Sequence, residues 1–247
     1  MKINWKITVL FCLGIIFLYN SCSKEKTFDC LKSTGKITKQ DRYFDNFSII
    51  VVEDNINVIL LQSTPGKITI EAGENLLYKI KCDQDGNTIT IRNKNTCNWV
   101  RSYDKPMNVY VGVNQVKEII QKGYGTIKEG EYIKTDTLGI SNLTYGSTDL
   151  SIDANFIGFV ADQYSTFKLR GKSNSMAGSS ALNAQVDTEG MKTRWVVFSS
   201  NSILDAKIYC DSLIQAEIQG SGNILCNGHP GLVEYKHPSG SGNLLFQ

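Results

Sequence analysis

The sequence predicts an all-β chain, a β-solenoid preceded by a region of separate strands. Three observations carry this. Turn-like tokens recur near every 20 residues, β-branched runs alternate with turn residues without any helical period, and 16 of the 21 glycines lie from Gly112 onward. A repeat of about 20 residues fits one coil of three short strands at ~3.3 Å per residue, whereas a propeller blade needs about twice that length. With 41% apolar and 20% charged residues, the 247-residue chain reads as globular.

The first element is an export signal. Lys2 and Lys6 precede the apolar run Ile7–Leu18. At 12 residues, the run is short of the ~20 needed to span a bilayer and matches a secretory signal. Its end, Leu18-Tyr19-Asn20-Ser21-Cys22, resembles a bacterial lipobox, loosened at Tyr19 and Asn20 as in lipoproteins of the Bacteroidetes. The expectation is a signal peptide over 1–21, cleavage before Cys22 and acylation of Cys22, which then holds the chain to a lipid bilayer. Several acyl chains, at ~0.8 kcal/mol per buried CH₂, make such an anchor stable. The protein is expected at the outer membrane, facing the periplasm or exposed at the surface. Lys24-Glu25-Lys26 is too mixed in charge to choose between them. Cleavage removes two of the 26 basic side chains and leaves a neutral balance against 24 acidic ones. That argues against a nucleic-acid partner or a polyanion clamp, both of which need a basic face.

Residues 22–42 read as the lipidated cysteine and a polar tether, and 43–247 as the folded domain. Within it, 43–106 is a strand region. Phe47–Val52 and Ile56–Leu60 flank the turn signal Asp54-Asn55, and Pro65-Gly66 marks the next turn. Asp85-Gly86-Asn87 reverses the chain as a hairpin into Thr88–Ile91. Glu74–Lys81 reads as a turn entering a strand. Residues 93–106 are polar and rich in turn formers, and the repeats follow over 107–247. Taking Gly125, Gly146, Ser165, Ser179, Ser200, Gly220 and Gly240 as anchors gives spacings of 21, 19, 14, 21, 20 and 20. The coil count over 155–205 is open because the tokens there are degenerate.

Gly220, Gly222, Asn223, Gly240, Gly242 and Asn243 are expected as structural turns, because tight corners demand φ > 0, which Gly and Asn supply. Asn223 and Asn243 are placed to form an amide ladder. A phosphate cradle is disfavoured, since Gly220-Ser221-Gly222-Asn223 lacks the Lys and the following helix.

The ordered set Phe47-Ser48-Ile49, Ile56–Leu60, Ile68-Thr69-Ile70, Glu74–Leu77, Asp85–Ile89 and the two Gly-Ser-Gly-Asn tokens resembles the putative auto-transporter adhesin, head GIN domain family of Bacteroidetes lipoproteins. The likeness covers roughly Phe44 to Phe246, with Phe47–Leu60 matching the family's first hairpin. It implies a right-handed parallel β-helix and, through its name, adhesion. It implies no active-site residues.

Of the cysteines left after cleavage, Cys82–Cys97 is the favoured disulfide and Cys30–Cys97 its rival, while Cys210 and Cys226 read as small buried apolar residues. The absence of C-x-x-C and the presence of only two histidines leave no expected metal or cofactor. No catalytic residue is expected. The candidate carboxylates Asp149, Asp153, Asp162, Asp187 and Asp205 share no repeat position and have no Arg or His nearby in sequence. The domain is therefore expected to bind a glycan or protein ligand without catalysis. The other classes in play are a polysaccharide-acting enzyme on a β-helix and a purely structural envelope protein. Tyr124, Tyr145 and Tyr164, spaced by 21 and 19 residues, are expected to stack in a column. An aromatic stack inside the core is the preferred placement. A column on one outer face, stacking on sugars, is the alternative.

Overall fold

The computed structural model describes residues 33–62, 66–95, 107–114, 116–236 and 239–247. It is all-β, 66% strand and 2% helix, with a solenoid of about 7 turns. One rung consists of β2 (Ile49–Val52) and β3 (Asn57–Leu61). Above it, β8 (Glu118–Gln121) and β9 (Thr126–Glu129) pair in parallel with β2 and β3. Three long strands then wind upward: β10 (Ile133–Asn142), β11 (Ser147–Ala161) and β12 (Thr166–Leu182). β13 (Gln185–Ser202), β14 (Ala206–Tyr209), β15 (Leu213–Ile218), β16 (Ile224–Asn227), β17 (Leu232–Lys236) and β18 (Leu244–Phe246) complete the climb. In the register, Ile140 lies under Phe159, Phe159 under Gly178, Gly178 under Phe198 and Phe198 under Ala216. The coil is thus 18 to 20 residues long here.

Below β2 and β3 lie β6 (Thr88–Asn93) and β7 (Asn108–Gly112), also parallel to them. β4 (Lys67–Gly73) runs antiparallel to β7 and to β1 (Ile37–Tyr43), and β5 (Ile80–Asp85) antiparallel to β6. The one-turn helix α1 (Glu74–Leu77) joins β4 to β5. The chain lays its first rung in the middle of the stack and builds to both sides of it. The compositional change near Met107 is therefore not a break in the sheet, since β7 lies directly beneath β3.

Two expectations are corrected. Ile49–Leu60 is not a hairpin: β2 and β3 do not pair with each other but lie on adjacent faces of a rung, with Asp54 at φ 63° turning the corner. The 14-residue spacing from Ser165 to Ser179 is not a short coil either. The residue above Ser165 is Ala184, whereas Ser179 and Ser200 lie in strands, above Val160 and Ser180. Small residues are needed there for another reason. Gly178 faces inward, where a Cβ would sit 2.2 Å from the Phe159 ring. Phe159, Phe167 and Phe198 fill the core at this level, with centroids 4.4 and 5.8 Å from that of Phe159.

The glycines of the Gly-Ser-Gly-Asn corners do not have the positive φ expected of them. Close approach selects them. A Cβ on Gly220 or Gly222 would come within 2.1 Å of the Ser202 or Leu204 carbonyl oxygen, and on Gly240 or Gly242 within 2.3 or 2.0 Å of the Gly220 or Gly222 oxygen. The asparagine ladder also differs from two stacked amides. The Asn243 backbone N–H donates to Asn223 Oδ1 at 2.9 Å, while the Asn223 N–H and Nδ2 donate to Asp205 Oδ1 at 2.7 and 3.1 Å. Each side chain thereby satisfies a corner amide of the next coil.

Candidate functional site

At the corner between β8 and β9 and its equivalents above, Tyr124, Tyr145 and Tyr164 stand one over another by register. Their centroids are 5.7 and 5.4 Å apart and their planes 27° and 1° from parallel. All three point outward, with 68%, 53% and 60% of their surface exposed. The preferred core placement is thus corrected. Alternation decides it: the residue after each tyrosine (Gly125, Gly146, Ser165) is buried, so the tyrosine before it faces out. Glycine also lets the corners nest, since a Cβ on Gly123 or Gly125 would lie under 2 Å from the Asp54 or Ile56 oxygen. These separations lie within the ~4.5–7 Å range of offset aromatic stacking. Among the described residues the three hydroxyls have no hydrogen-bond partner. The corner offers an apolar strip edged by free donors and acceptors.

The five candidate aspartates do not converge. Asp149 and Asp187 share one outer column, separated by Lys168 and flanked by Lys128 and Lys207, so the column alternates in sign along the axis. Arg170 Nη2 lies 2.6 Å from Asp149 and Lys168 Nζ 3.7 Å from Asp187. Asp149 therefore has the arginine partner that the sequence does not bring near. Asp162 accepts the Gln163 N–H at 2.6 Å, and Asp205 caps the asparagine ladder. Asp153 accepts the Tyr132 hydroxyl at 2.5 Å and the Lys172 N–H at 3.1 Å. Among the described residues no three His, Cys, Asp or Glu side chains are grouped to hold a metal ion. His229 is exposed and His237 lies outside the described residues.

The family model for "Putative auto-transporter adhesin, head GIN domain" matches residues 46–230. The chain belongs to this family. Solved structures similar to this head GIN chain share its fold. A putative adhesin from Bacteroides fragilis has a TM-score of 0.75 at 19% identity, covering 86% of this chain and 97% of its own. One from Parabacteroides merdae scores 0.58 at 18% identity, covering 87% and 98%. A structure from Parabacteroides distasonis, described as a putative lipid binding protein, scores 0.61 at 13% identity, covering 87% and 98%. No curated protein matches significantly. No helix among the described residues is long and apolar enough to cross a membrane.

Several expectations about this head GIN chain fall outside the described residues: the signal peptide, Cys22, Cys30, and Cys97 with its disulfide to Cys82. Cys82 itself is described, 3.6 Å from Arg42 Nη1, and burial raises its thiol pKa. Cys210 and Cys226 are buried, and burial, then the neighbouring Cys210, pushes the Cys226 pKa up to about 12.

One feature was missed from the sequence. On the face that carries Lys134 of β10 and its register equivalents, an open groove of about 540 Å³ is lined by Lys134, Asp153, Lys172, Lys192 and Arg194, among others. Lys134, Asp153, Lys172 and Lys192 form one column by register. The lysines stand 38 and 20 residues apart. That multiple of the coil length becomes visible only once Ser165 is aligned with Ala184 rather than with Ser179.

Proposed function

We infer that this is an exported head GIN domain, anchored through acylated Cys22, that binds an extracellular or envelope glycan without catalysis. The observation that carries the reading is the outward column Tyr124–Tyr145–Tyr164. Apolar faces and edges of aromatic rings are what sugar C–H groups pack against, and the unpartnered hydroxyls are free to bond sugar hydroxyls. Holding the rings on a rigid corner lowers the ordering cost of binding. The five aspartates, each committed to an ion pair or a backbone bond, support a non-catalytic role.

A glycan array probed with the full-length protein tests this. Binding of a neutral glycan that falls about tenfold in Tyr145→Ala or Tyr164→Ala, with unchanged far-UV circular dichroism, is the expected result. A tenfold loss corresponds to about 1.4 kcal/mol, near the upper end for one aromatic contact. Arrays that stay blank, or binding indifferent to both substitutions, would remove the glycan reading. Polysaccharide turnover abolished by changing one of the aspartates would overturn the non-catalytic one.

A further inference from the structure

The groove described above is a concentration of unpaired positive charge on a chain whose expected mature form is neutral. Its lining holds four cations, Lys134, Lys172, Lys192 and Arg194, against one carboxylate, Asp153. That carboxylate accepts bonds from the Tyr132 hydroxyl and the Lys172 N–H, and its single negative charge, on the rung between Lys134 and Lys172, leaves the lining with a net charge of +3. None of the four cations forms an ion pair among the described residues, in contrast to the alternating column on the adjacent face, where Asp149 and Asp187 are both paired. Three of them rest on aromatic rings instead. Lys192 Nζ is 3.6 Å from the Tyr209 centroid, Arg194 5.2 Å from that of Trp195, and Lys134 5.7 Å from that of Tyr132. A ring holds a cation in place without neutralising it.

The arrangement is also linear. Lys134 and Lys172 are two rungs apart and Lys172 and Lys192 one. With rungs at ~4.8 Å, positive charge recurs along the solenoid axis over about 15 Å. A single small anion uses one or two of these groups. A chain with an acid on successive units uses all of them. The Trp195 and Tyr132 rings beneath Arg194 and Lys134 have 45% and 60% of their surface exposed, so apolar ring surface lies beside two of the cations.

We propose that this groove binds a linear acidic polysaccharide, a polyuronate or sulfated glycan, along the solenoid axis. Carboxylate or sulfate groups meet Lys134, Lys172, Lys192 and Arg194, while sugar rings lie against Trp195 and Tyr132. Arg194 suits this role, since its planar fork bonds such groups in pairs. The groove lies on a different face from the tyrosine corner, and the proposal does not depend on the reading of that corner.

The test is titration of the full-length protein, in neutral detergent, with polygalacturonate, neutral dextran and inorganic polyphosphate at low and at ~0.15 M salt. The expected result is saturable binding of polygalacturonate, weakened by salt, with dextran not bound. Lys172→Gln with Lys192→Gln should cost at least tenfold in affinity. Trp195→Ala should weaken polygalacturonate several-fold but leave polyphosphate unchanged. Tyr145→Ala should have no effect, which separates this site from the tyrosine corner. All these side chains are exposed, and an unchanged melting temperature confirms that the variants fold. Binding of dextran as tight as of polygalacturonate, indifference to the double lysine variant, or polyphosphate bound as tightly and equally sensitive to Trp195→Ala would each overturn the proposal.

Discussion

Adding one methyl group at Gly178 probes how tightly the solenoid core is filled. A Cβ there would meet the Phe159 ring at 2.2 and 2.3 Å, more than 1 Å inside normal carbon–carbon contact. The ring has little freedom to yield, because the Phe167 and Phe198 rings pack on it and it is nearly fully buried. Overpacking of this kind costs about 1–3 kcal/mol. Alanine recovers about 0.4–1 kcal/mol by restricting the unfolded chain, since Gly178 does not have positive φ. Mid-range values of the two put the net cost of Gly178→Ala at about 1–2 kcal/mol. For a domain of this size that lowers the melting temperature by roughly 2–8 °C, read by far-UV circular dichroism. Phe159→Leu removes the opposing ring atoms, so in that background Gly178→Ala should be neutral or stabilising, a coupling of at least about 1 kcal/mol. A melting temperature raised by Gly178→Ala in the wild-type chain, or the same shift in both backgrounds, would refute the inward packing of this position.

Replacing Cys22 by Ser should release the protein from the membrane fraction into the soluble one, and unchanged membrane association would disprove the lipid anchor. Native Cys210 and Cys226 should resist thiol-specific alkylation at pH 8 and label fully on unfolding, because both are buried and the Cys226 pKa stands near 12; rapid native labelling would contradict their place in the core. Glu71 accepts bonds from the Tyr110 hydroxyl at 2.6 Å and Asn108 Nδ2 at 2.9 Å, which lower its pKa below the ordinary 4.5. A depressed folded pKa stabilises above the unfolded value and is lost as pH falls through the folded one. Acid melts of the wild type should therefore fall more steeply below about pH 4.5 than those of Glu71→Gln, and identical profiles would show that these bonds contribute nothing.

What could be read from the sequence followed what a single residue can signal. The coil length came through because each turn of the solenoid repeats the same demand for small residues, at Gly220 and Gly222 and again at Gly240 and Gly242. The reason for that demand did not come through, since nothing local separates a glycine chosen for φ from one chosen because a carbonyl of the next coil lies 2 Å from its absent Cβ. The same blindness moved the Ser179 token to a corner. Gly178 is small to make room for two phenylalanines roughly 20 residues away on either side, a constraint written in Phe159 and Phe198 rather than in its neighbours. The tyrosine column was legible as a column but not as an outer one, because its direction is fixed by the buried Gly125, Gly146 and Ser165 that follow each ring. The basic groove was the least visible. A net charge near zero is a sum over the whole surface, and it conceals segregation wherever one face alternates Lys with Asp while the next collects Lys and Arg. Charge read by rung and face, once the register is known, separates the two; charge read along the chain averages them away.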